Sequence, residues 1–224
     1  MDEDHKISTG SEILDDFLGG GYESGVITTV YGPPGSGKTN LCLLCMTKHA
    51  DKKIIYIDTE GSFSVDRIKQ LSPDYEEILR NIIVLKPTNF EEQKKVFEKL
   101  KGIITDKIGL IIIDSIAMLY RLEIGVNRDV FKVNRDLGVQ LVDMVHIARK
   151  FKIPIIITNQ VYSDFEDKTK VNIVGGDILK YASKCLIELQ KTDKGKKAII
   201  RKHRSIADGK ELEFRIVNEG IEAI

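Results

Sequence analysis

The residue pattern with the clearest chemistry is the octapeptide GPPGSGKT at positions 32–39. Its glycines let the backbone curl so that several N–H groups point inward, and such a cradle binds phosphate oxygens. Lys38 would then reach the outer phosphates of a nucleotide, and the hydroxyl of Thr39 can ligate Mg²⁺. A strand-like run precedes this phosphate loop and a helix-like run follows it, whereas the alternative is a chance glycine-rich turn. The predicted nucleotide contacts are Gly32, Pro33, Pro34, Gly35, Ser36, Gly37, Lys38, Thr39 and Asn40.

Two acidic residues that follow apolar runs could complete a site for Mg²⁺ and a hydrolytic water. Asp114 ends the run LIIID and is expected to hold the metal with Thr39, partly through water. Glu60 comes two residues after IIYID, and a carboxylate there can polarise a water in line with the terminal phosphate. The alternatives are a strand-end Asp that only caps the next turn and a solvated strand-end Glu. Together with the phosphate loop, these residues predict ATP and Mg²⁺ as ligands.

Short apolar runs rich in β-branched residues alternate with longer runs of helical periodicity. This alternation is typical of βαβ units around a mostly parallel, twisted sheet flanked by helices, so we expect an α/β fold. In the last third, short strand-like runs joined by DKGK and ADGK predict antiparallel strands at the sheet edge. Thr88, with Glu91 three residues later, has capping-box spacing and predicts a helix start. The predicted parallel strands are 26–31, 54–58, 82–85, 110–114 and 153–158, and a long helix is expected over 128–150.

Composition and charge limit the class of protein. The 224 residues, 42% of them hydrophobic, suit a single domain over 1–224 with residues 1–25 as a short N-terminal cap. Lys+Arg and Asp+Glu both number 34, and this zero net charge excludes bulk electrostatic binding of nucleic acid. The net charge is −5 over residues 1–100 and +5 over residues 101–224, so a local basic face remains possible.

The chain has three cysteines and no export signal, and it has no apolar run near the ~20 residues that a membrane span requires. These features predict a cytoplasmic protein without membrane contact. Cys42 and Cys45 form a C-x-x-C pair inside the helix that follows the phosphate loop. Because no second Cys/His pair has ligand spacing, we expect both to be core residues rather than metal or redox ligands.

Five segments resemble the RecA/RadA recombinase family in order and spacing, and the resemblance spans nearly the whole chain. It implies a RecA-like P-loop ATPase core in which Glu60 activates water, Arg67 stacks on adenine and Gln160 senses the γ-phosphate. The residues alone leave alternatives: Gln160 could hydrogen-bond a neighbouring turn, and Arg67 could be a surface residue. The segments are ISTGSEILDDFLGGG, GPPGSGKTNLC, YIDTEGSF, LIIIDSIAMLYR and IPIIITNQV.

Two differences from the family's usual pattern indicate which kind of member the chain resembles. Only seven residues precede STG, so we expect neither the N-terminal DNA-binding domain nor the Phe-x-x-Ala docking segment of filament-forming members. Asp177 stands where those members usually have His or Asn near the neighbouring subunit's γ-phosphate, and an acid there would repel the triphosphate. The chain thus looks most like an archaeal recombinase paralog, which implies an accessory protein with weak ATP hydrolysis and no efficient strand exchange.

The resemblance also implies DNA contact, with single-stranded or branched DNA and without sequence specificity. One DNA-facing loop would follow Asp114, a second would lie between Gln160 and Gly175, and a basic hairpin over 191–204 is a further candidate. Solvated charges are the alternative at each position. The implied partners are the main recombinase of the RadA type and a junction nuclease, with a nucleoid-associated location and a homodimer left open. The predicted DNA contacts are Arg121, Arg128, Lys132, Arg135, Lys168, Lys170, Lys197 and Arg201.

Two competing interpretations of the same fold remain open. A KaiC-like regulatory ATPase would act through protein partners without DNA. Such proteins typically carry adjacent acids at the catalytic position, whereas Glu60 stands between Thr59 and Gly61 here. A nucleotide-binding scaffold that never hydrolyses ATP is the other interpretation.

Overall fold

The computed structural model describes residues 5–49, 51–127, 129–163 and 171–224. Arg128, Lys168 and Lys170, which were predicted to contact DNA, lie outside the described residues. The strands are β1 (Lys6–Ile7), β2 (Tyr22–Glu23), β3 (Ile27–Tyr31), β4 (Lys53–Asp58), β5 (Ile82–Leu85), β6 (Ile108–Asp114), β7 (Ile155–Asn159), β8 (Val161–Ser163), β9 (Val171–Ile173), β10 (Cys185–Lys191), β11 (Lys196–Lys202), β12 (Glu211–Val217) and β13 (Gly220–Ala223). The helices are α1 (Glu12–Phe17), α2 (Lys38–Met46), α3 (Val65–Leu71), α4 (Tyr75–Asn81), α5 (Phe90–Ile103), α6 (Met118–Val126), α7 (Val130–Phe151) and α8 (Gly176–Ala182).

Within the described residues, nine strands form one sheet in the order β5-β4-β6-β7-β3-β10-β11-β12-β13. Neighbours from β5 to β10 run parallel, and those from β10 to β13 run antiparallel. This arrangement confirms the predicted mostly parallel sheet with C-terminal antiparallel strands. The carboxyl ends of β3, β7, β6 and β4 meet at one edge, where ligands bind in open α/β sheets.

The sheet separates two hydrophobic layers, and the alternation of side chains along each central strand supplies both. On β6, Leu110 and Ile112 pack into the layer with α1, α2 and α3, whereas Ile111 and Ile113 pack into the layer with α5 and α7. All four side chains are fully buried. Burying one such side chain stabilises the fold by about 1.5–3 kcal/mol, which explains the continuous apolar runs of these strands.

The long helix α7 lies close to its predicted bounds and is amphipathic. Its buried residues recur every three or four positions, as in Val133, Leu137 and Leu141. Asp129 caps its N-terminus by accepting a hydrogen bond from the backbone N–H of Lys132 at 3.0 Å. The helix therefore covers the sheet with one face and leaves the other exposed.

The predicted cap of α5 is wrong by one residue. Asn89, not Thr88, is the N-cap, and its side chain accepts a hydrogen bond from the backbone N–H of Glu92 at 2.9 Å. The Glu92 carboxylate accepts from both the N–H and the hydroxyl of Thr88 at 2.8 Å. Asn89 and Glu92 have the same three-residue spacing as the predicted pair, and Asn caps helices better than Thr, so the motif shifts by one position.

The segment after Asp114 was expected to be a DNA-facing loop. Much of it is helical instead, so this expectation of its secondary structure was wrong. Helix α6 occupies its first half, and it forms there because Leu119 and Tyr120 pack into the core. Arg121 lies on α6, and Lys132 lies in the first turn of α7. No helix in the described ranges combines the length and apolar character that a membrane crossing requires.

Candidate nucleotide-binding site

The phosphate loop connects β3 to α2 at the centre of the sheet edge. Its backbone requires glycine at two positions for different reasons. A Cβ on Gly32 would lie 2.3 Å from the carbonyl oxygen of Leu189, so a side chain would displace strand β10. Gly37 has a φ of +104°, a left-handed conformation that other residues adopt at a cost, and it precedes the first residue of α2. The loop therefore has the backbone curl that the motif predicts.

Lys38 lies folded against this loop. Its ammonium group donates hydrogen bonds to the carbonyl oxygens of Gly32 at 2.9 Å and Pro33 at 3.0 Å. Burial lowers the pKa of Lys38, whereas the carboxylates of Glu60 and Asp114 act in the opposite direction. A bound polyanion would stabilise this buried charge, which is the role that the motif predicts for it. The open cleft above the loop, of about 280 Å³, is lined by Pro34, Gly35, Gly37, Lys38, Thr39, Asn40, Glu60 and Gln160.

The carboxylate of Asp114 is buried and receives hydrogen bonds from four hydroxyl groups. Thr39 and Ser62 each donate at 2.8 Å, Tyr56 donates at 2.7 Å, and Thr158 donates to the second carboxylate oxygen. Strand β6 lies between β4 and β7, so donors arrive from both neighbours as well as from α2. These bonds replace the lost hydration of a carboxylate that is 1% exposed, and they hold it at the floor of the cleft.

The residues at this floor fit Mg²⁺. Thr39 and Asp114 supply only oxygen atoms, the donors that Mg²⁺ prefers. Because Thr39 gives its single hydrogen to Asp114, the lone pairs of its hydroxyl remain available to a cation. Across the described part of the chain, no cluster of three or more Asp, Glu, His or Cys residues could hold a metal alone. The donor set therefore suits an ion that also binds water and nucleotide phosphates.

Glu60 lies across the cleft and is held by two side chains. The hydroxyl of Ser115 donates to Glu60 Oε1 at 2.6 Å, and Gln160 Nε2 donates to the same oxygen at 3.0 Å. Ser115 is itself fixed, because its backbone N–H donates to Thr59 Oγ1 at 2.9 Å. Glu60 and Gln160, predicted from separate segments, thus lie in contact. The hydrogen bond from Ser115 to Glu60 has no motif signal in the sequence.

Arg67 lies beside the first turn of α2. Its guanidinium donates to the side chain of Asn40 at 2.8 Å and to the carbonyl oxygens of Val217 at 2.7 Å and Asn218 at 3.0 Å. Burial lowers the pKa of Arg67. The turn between β12 and β13 is therefore tied to the nucleotide-binding helix. Ile216 on β12 also packs against Gly37, where a Cβ would lie 2.9 Å from its Cδ1 atom. Sequence reasoning did not anticipate these contacts.

The predicted DNA contacts divide into two groups. On the basic hairpin, Arg201 pairs with the buried carboxylate of Glu188 at 2.7 Å, and Lys197 pairs with Glu211 at 2.8 Å. Glu188 raises the pKa of Arg201 through this hydrogen bond. These two cations are therefore compensated within the sheet. Three further candidates are exposed on helices α6 and α7, namely Arg121, Lys132 and Arg135.

The two segments expected to face DNA meet at one groove of about 310 Å³. Arg121 and Ile124 line it from α6, and Tyr162 and Gly175 line it from the ends of the second segment. Outside this groove, Phe131 at the start of α7 is 90% exposed. Exposed aromatic rings beside cations are the combination that single-stranded nucleic acid binds by stacking and charge.

The C-x-x-C pair lies in the hydrophobic core on α2, as the sequence predicts. Cys42 and Cys45 are fully buried on α2 in the layer that contains Tyr22. Burial raises the pKa of both thiols. Both cysteines therefore serve as core side chains.

Known proteins are similar to this chain over nearly its whole length. A family model described as Rad51 matches residues 2–224. The DNA repair and recombination protein RadB of Methanococcus maripaludis strain C5 is 44% identical over 217 residues, which cover 95% of this chain and 98% of that protein. RadB of Methanobrevibacter smithii is 41% identical over 231 residues, with 99% and 97% covered. A crystal structure of the RadB recombinase superposes with a TM-score of 0.83 at 37% identity, covering 97% of this chain and 99% of that one. The chain belongs to the Rad51 family.

Proposed function

We propose that this protein binds ATP with Mg²⁺, hydrolyses it slowly, and acts as a DNA-binding accessory protein in homologous recombination and DNA repair. The observation that carries the proposal is the meeting of Lys38, Thr39, Asp114 and Glu60 around one cleft. Family membership and the similarity to DNA repair and recombination proteins support the biological setting. The whole chain, 1–224, would act as one ATPase core.

Hydrolysis would depend on Glu60. Its carboxylate can polarise a water in the cleft, while Ser115 and Gln160 hold its oxygen in place. When bound, Mg²⁺ neutralises phosphate charge. Lys38 would leave the loop carbonyls and bind the outer phosphates, and Arg67 would lie against the adenine. The slow rate rests on Asp177, an exposed acid on α8 that pairs with Lys180 at 3.5 Å and cannot assist at a neighbouring triphosphate.

DNA binding would use the groove between α6 and the second segment rather than the hairpin. Arg121 lines the groove, and Phe131 and Lys132 are exposed at the start of α7. Phosphates would pair with the cations and a base would stack on the ring, without sequence readout. The partners would be the main recombinase of the RadA type and a junction nuclease, with no strand exchange by this chain alone. The protein would be cytoplasmic and nucleoid-associated, and a homodimer fits the same scheme.

Nucleotide assays test the enzymatic part. We expect Lys38→Ala to weaken ATP binding at least ~100-fold, since it removes the buried cation of the site. Glu60→Gln should bind ATP normally and lose turnover. Lys99→Ala, an exposed lysine on α5, is the matched control and should behave like the wild type. Wild-type turnover in Glu60→Gln would refute the hydrolytic assignment, and normal binding by Lys38→Ala would refute the site.

Filter-binding titrations with single-stranded DNA test the second part. We expect micromolar affinity that depends on ATP and weakens with salt. Arg121→Ala should reduce it, whereas Arg201→Lys on the hairpin should not. Absence of salt-dependent binding would favour the second candidate function, a KaiC-like regulatory ATPase that acts through protein contacts. The exposed apolar side chains of Val139 and Val142 on α7 favour that candidate.

A further inference from the structure

Lys191 ends β10 and Lys196 begins β11, and both lie against the phosphate loop of the same chain. The ammonium group of Lys196 donates a hydrogen bond to the carbonyl oxygen of Gly35 at 2.8 Å. The ammonium group of Lys191 lies on the same residue, because a Cβ built on Gly35 would be 3.2 Å from its Nζ atom. Two strands that are distant in sequence from the loop thus place two cations at Gly35, which we call the crest of the loop.

These cations add to the charge of the loop's own lysine. Burial is the main cause that lowers the pKa of Lys38, and the positive charge of Lys191 contributes in the same direction, so the two ammonium groups interact through space. Clustering three like charges around one loop costs free energy in the absence of an anion. A polyanion bound in the cleft would convert this repulsion into attraction.

The other cations of the hairpin are arranged differently. Lys197 pairs with Glu211, and Arg201 pairs with Glu188. The hairpin is therefore not uniformly basic: Lys197 and Arg201 face carboxylates, whereas Lys191 and Lys196 face the phosphate loop.

We propose that Lys191 and Lys196 are nucleotide-positioning residues, whose charges at the crest of the phosphate loop attract the triphosphate of ATP bound by the same chain. The inference rests on the proposed ATP binding and deepens it. The Gly35 carbonyl would hold the Lys196 ammonium group in place, and both lysines would supply positive charge beside the phosphates. The antiparallel edge of the sheet would thus form one wall of the nucleotide site.

Charge-removing and charge-keeping substitutions test the proposal, with the affinity for ATP·Mg²⁺ measured by calorimetry. At low salt, Lys191→Gln and Lys196→Gln should each raise the Kd for ATP about fivefold, the effect of one unit charge near phosphate in water. Lys191→Arg and Lys196→Arg should stay within about twofold of the wild type. The kcat should be unchanged, because the lost interaction acts on bound substrate and transition state alike.

The salt dependence of the affinity distinguishes a lost charge from a misfolded phosphate loop. The fivefold effect should shrink toward unity at ~1 M salt, where exposed charges are screened, whereas a loop that had lost its shape would bind weakly at every ionic strength. Lys194→Gln, an exposed lysine in the same turn, is the matched control and should bind like the wild type.

Three outcomes overturn the inference. The first is Gln variants that bind within twofold of the wild type at low salt. The second is a loss of affinity that salt does not change and Arg does not rescue, which would indicate a structural role. The third is a wild-type chain that does not bind ATP at all, which would overturn the proposed function as well.

Discussion

Two fully buried tyrosines give a sharp test of the hydrogen bonds around Asp114. Tyr56 is 0% exposed and its hydroxyl donates to the Asp114 carboxylate at 2.7 Å. Burial, with the nearby negative charge of Asp114, raises the pKa of Tyr56, so this hydroxyl remains a donor. Tyr22 is 1% exposed, and its hydroxyl finds no hydrogen-bond partner in the described ranges. The same substitution at the two positions should therefore have opposite effects.

Tyr56→Phe removes a hydrogen bond to a charged group while it keeps the ring. Such bonds contribute about 1.5–3 kcal/mol, so the free energy of unfolding should fall by ~2 kcal/mol and the Tm by about 4–8 °C for a chain of this size. Tyr22→Phe removes a buried hydroxyl that has lost its hydration without gaining a partner. That variant should be as stable as the wild type or more stable by ~1 kcal/mol.

Urea unfolding followed by circular dichroism, without nucleotide or Mg²⁺, would measure both free energies. An equal loss at the two positions would refute the reasoning, since it would show that the hydroxyl at Asp114 contributes no more than an unpaired one. A Tyr56→Phe variant as stable as the wild type would refute it more directly.

Three further predictions follow from contacts of the site and the hairpin. Ser115→Ala removes the 2.6 Å hydrogen bond to Glu60, so steady-state assays should show turnover about tenfold lower with the KM for ATP unchanged. Arg201→Ala leaves the carboxylate of Glu188 buried without its cation, and urea unfolding should show a loss of about 1–2 kcal/mol, less than for a fully buried pair because Arg201 is 41% exposed. Burial lowers the pKa of His203, so the unfolded chain takes up its proton first as the pH falls below ~6.5, and stability present above that pH is lost with acidification. His203→Gln should lose less stability than the wild type between pH 7.5 and 5.5, measured by urea midpoints.

Each of these predictions has a matched control and a refuting result. A raised KM with normal turnover in Ser115→Ala would place its role in binding rather than in orienting the general base. Arg215→Ala, whose pair with Glu222 is exposed on both sides, should lose less stability than Arg201→Ala, and the reverse order would contradict the argument. His146→Gln, an exposed histidine on α7, should keep the acid sensitivity of the wild type. Equal acid sensitivity in His203→Gln would refute the burial argument.

Much of the architecture could be predicted because its signal is local. The parallel strands lie within two residues of their predicted bounds, since each is a continuous apolar run that ends at a turn or a polar residue. The order of strands in the sheet has no such signal, because it depends on which faces pack together after the helices form. Helix α6 was missed for a related reason: it has only nine residues, and the packing of Leu119 and Tyr120 into the core helps to stabilise it.

Some residues of the site could likewise be predicted from local sequence signals, whereas others could not. Residues of the phosphate loop, with Asp114 and Glu60, follow strands and have defined spacing, so their convergence could be expected. Tyr56 and Thr158 belong to the interiors of strands, where they are indistinguishable from core residues until β4 and β7 are known to flank β6. The contributions of the C-terminal strands are likewise invisible in the sequence, because they depend on β10 lying beside β3.

The hydrogen bond between Tyr56 and Asp114 also has an optical consequence. The chain contains no Trp and seven Tyr, so its intrinsic ultraviolet emission comes from phenol rings alone. Carboxylate acceptors quench the emission of a phenol that donates a proton to them, and a cation drawn to Asp114 would weaken that acceptor. The unmodified protein therefore carries its own reporter: titration with Mg²⁺ and nucleotide should brighten tyrosine emission, and Tyr56→Phe should abolish the change.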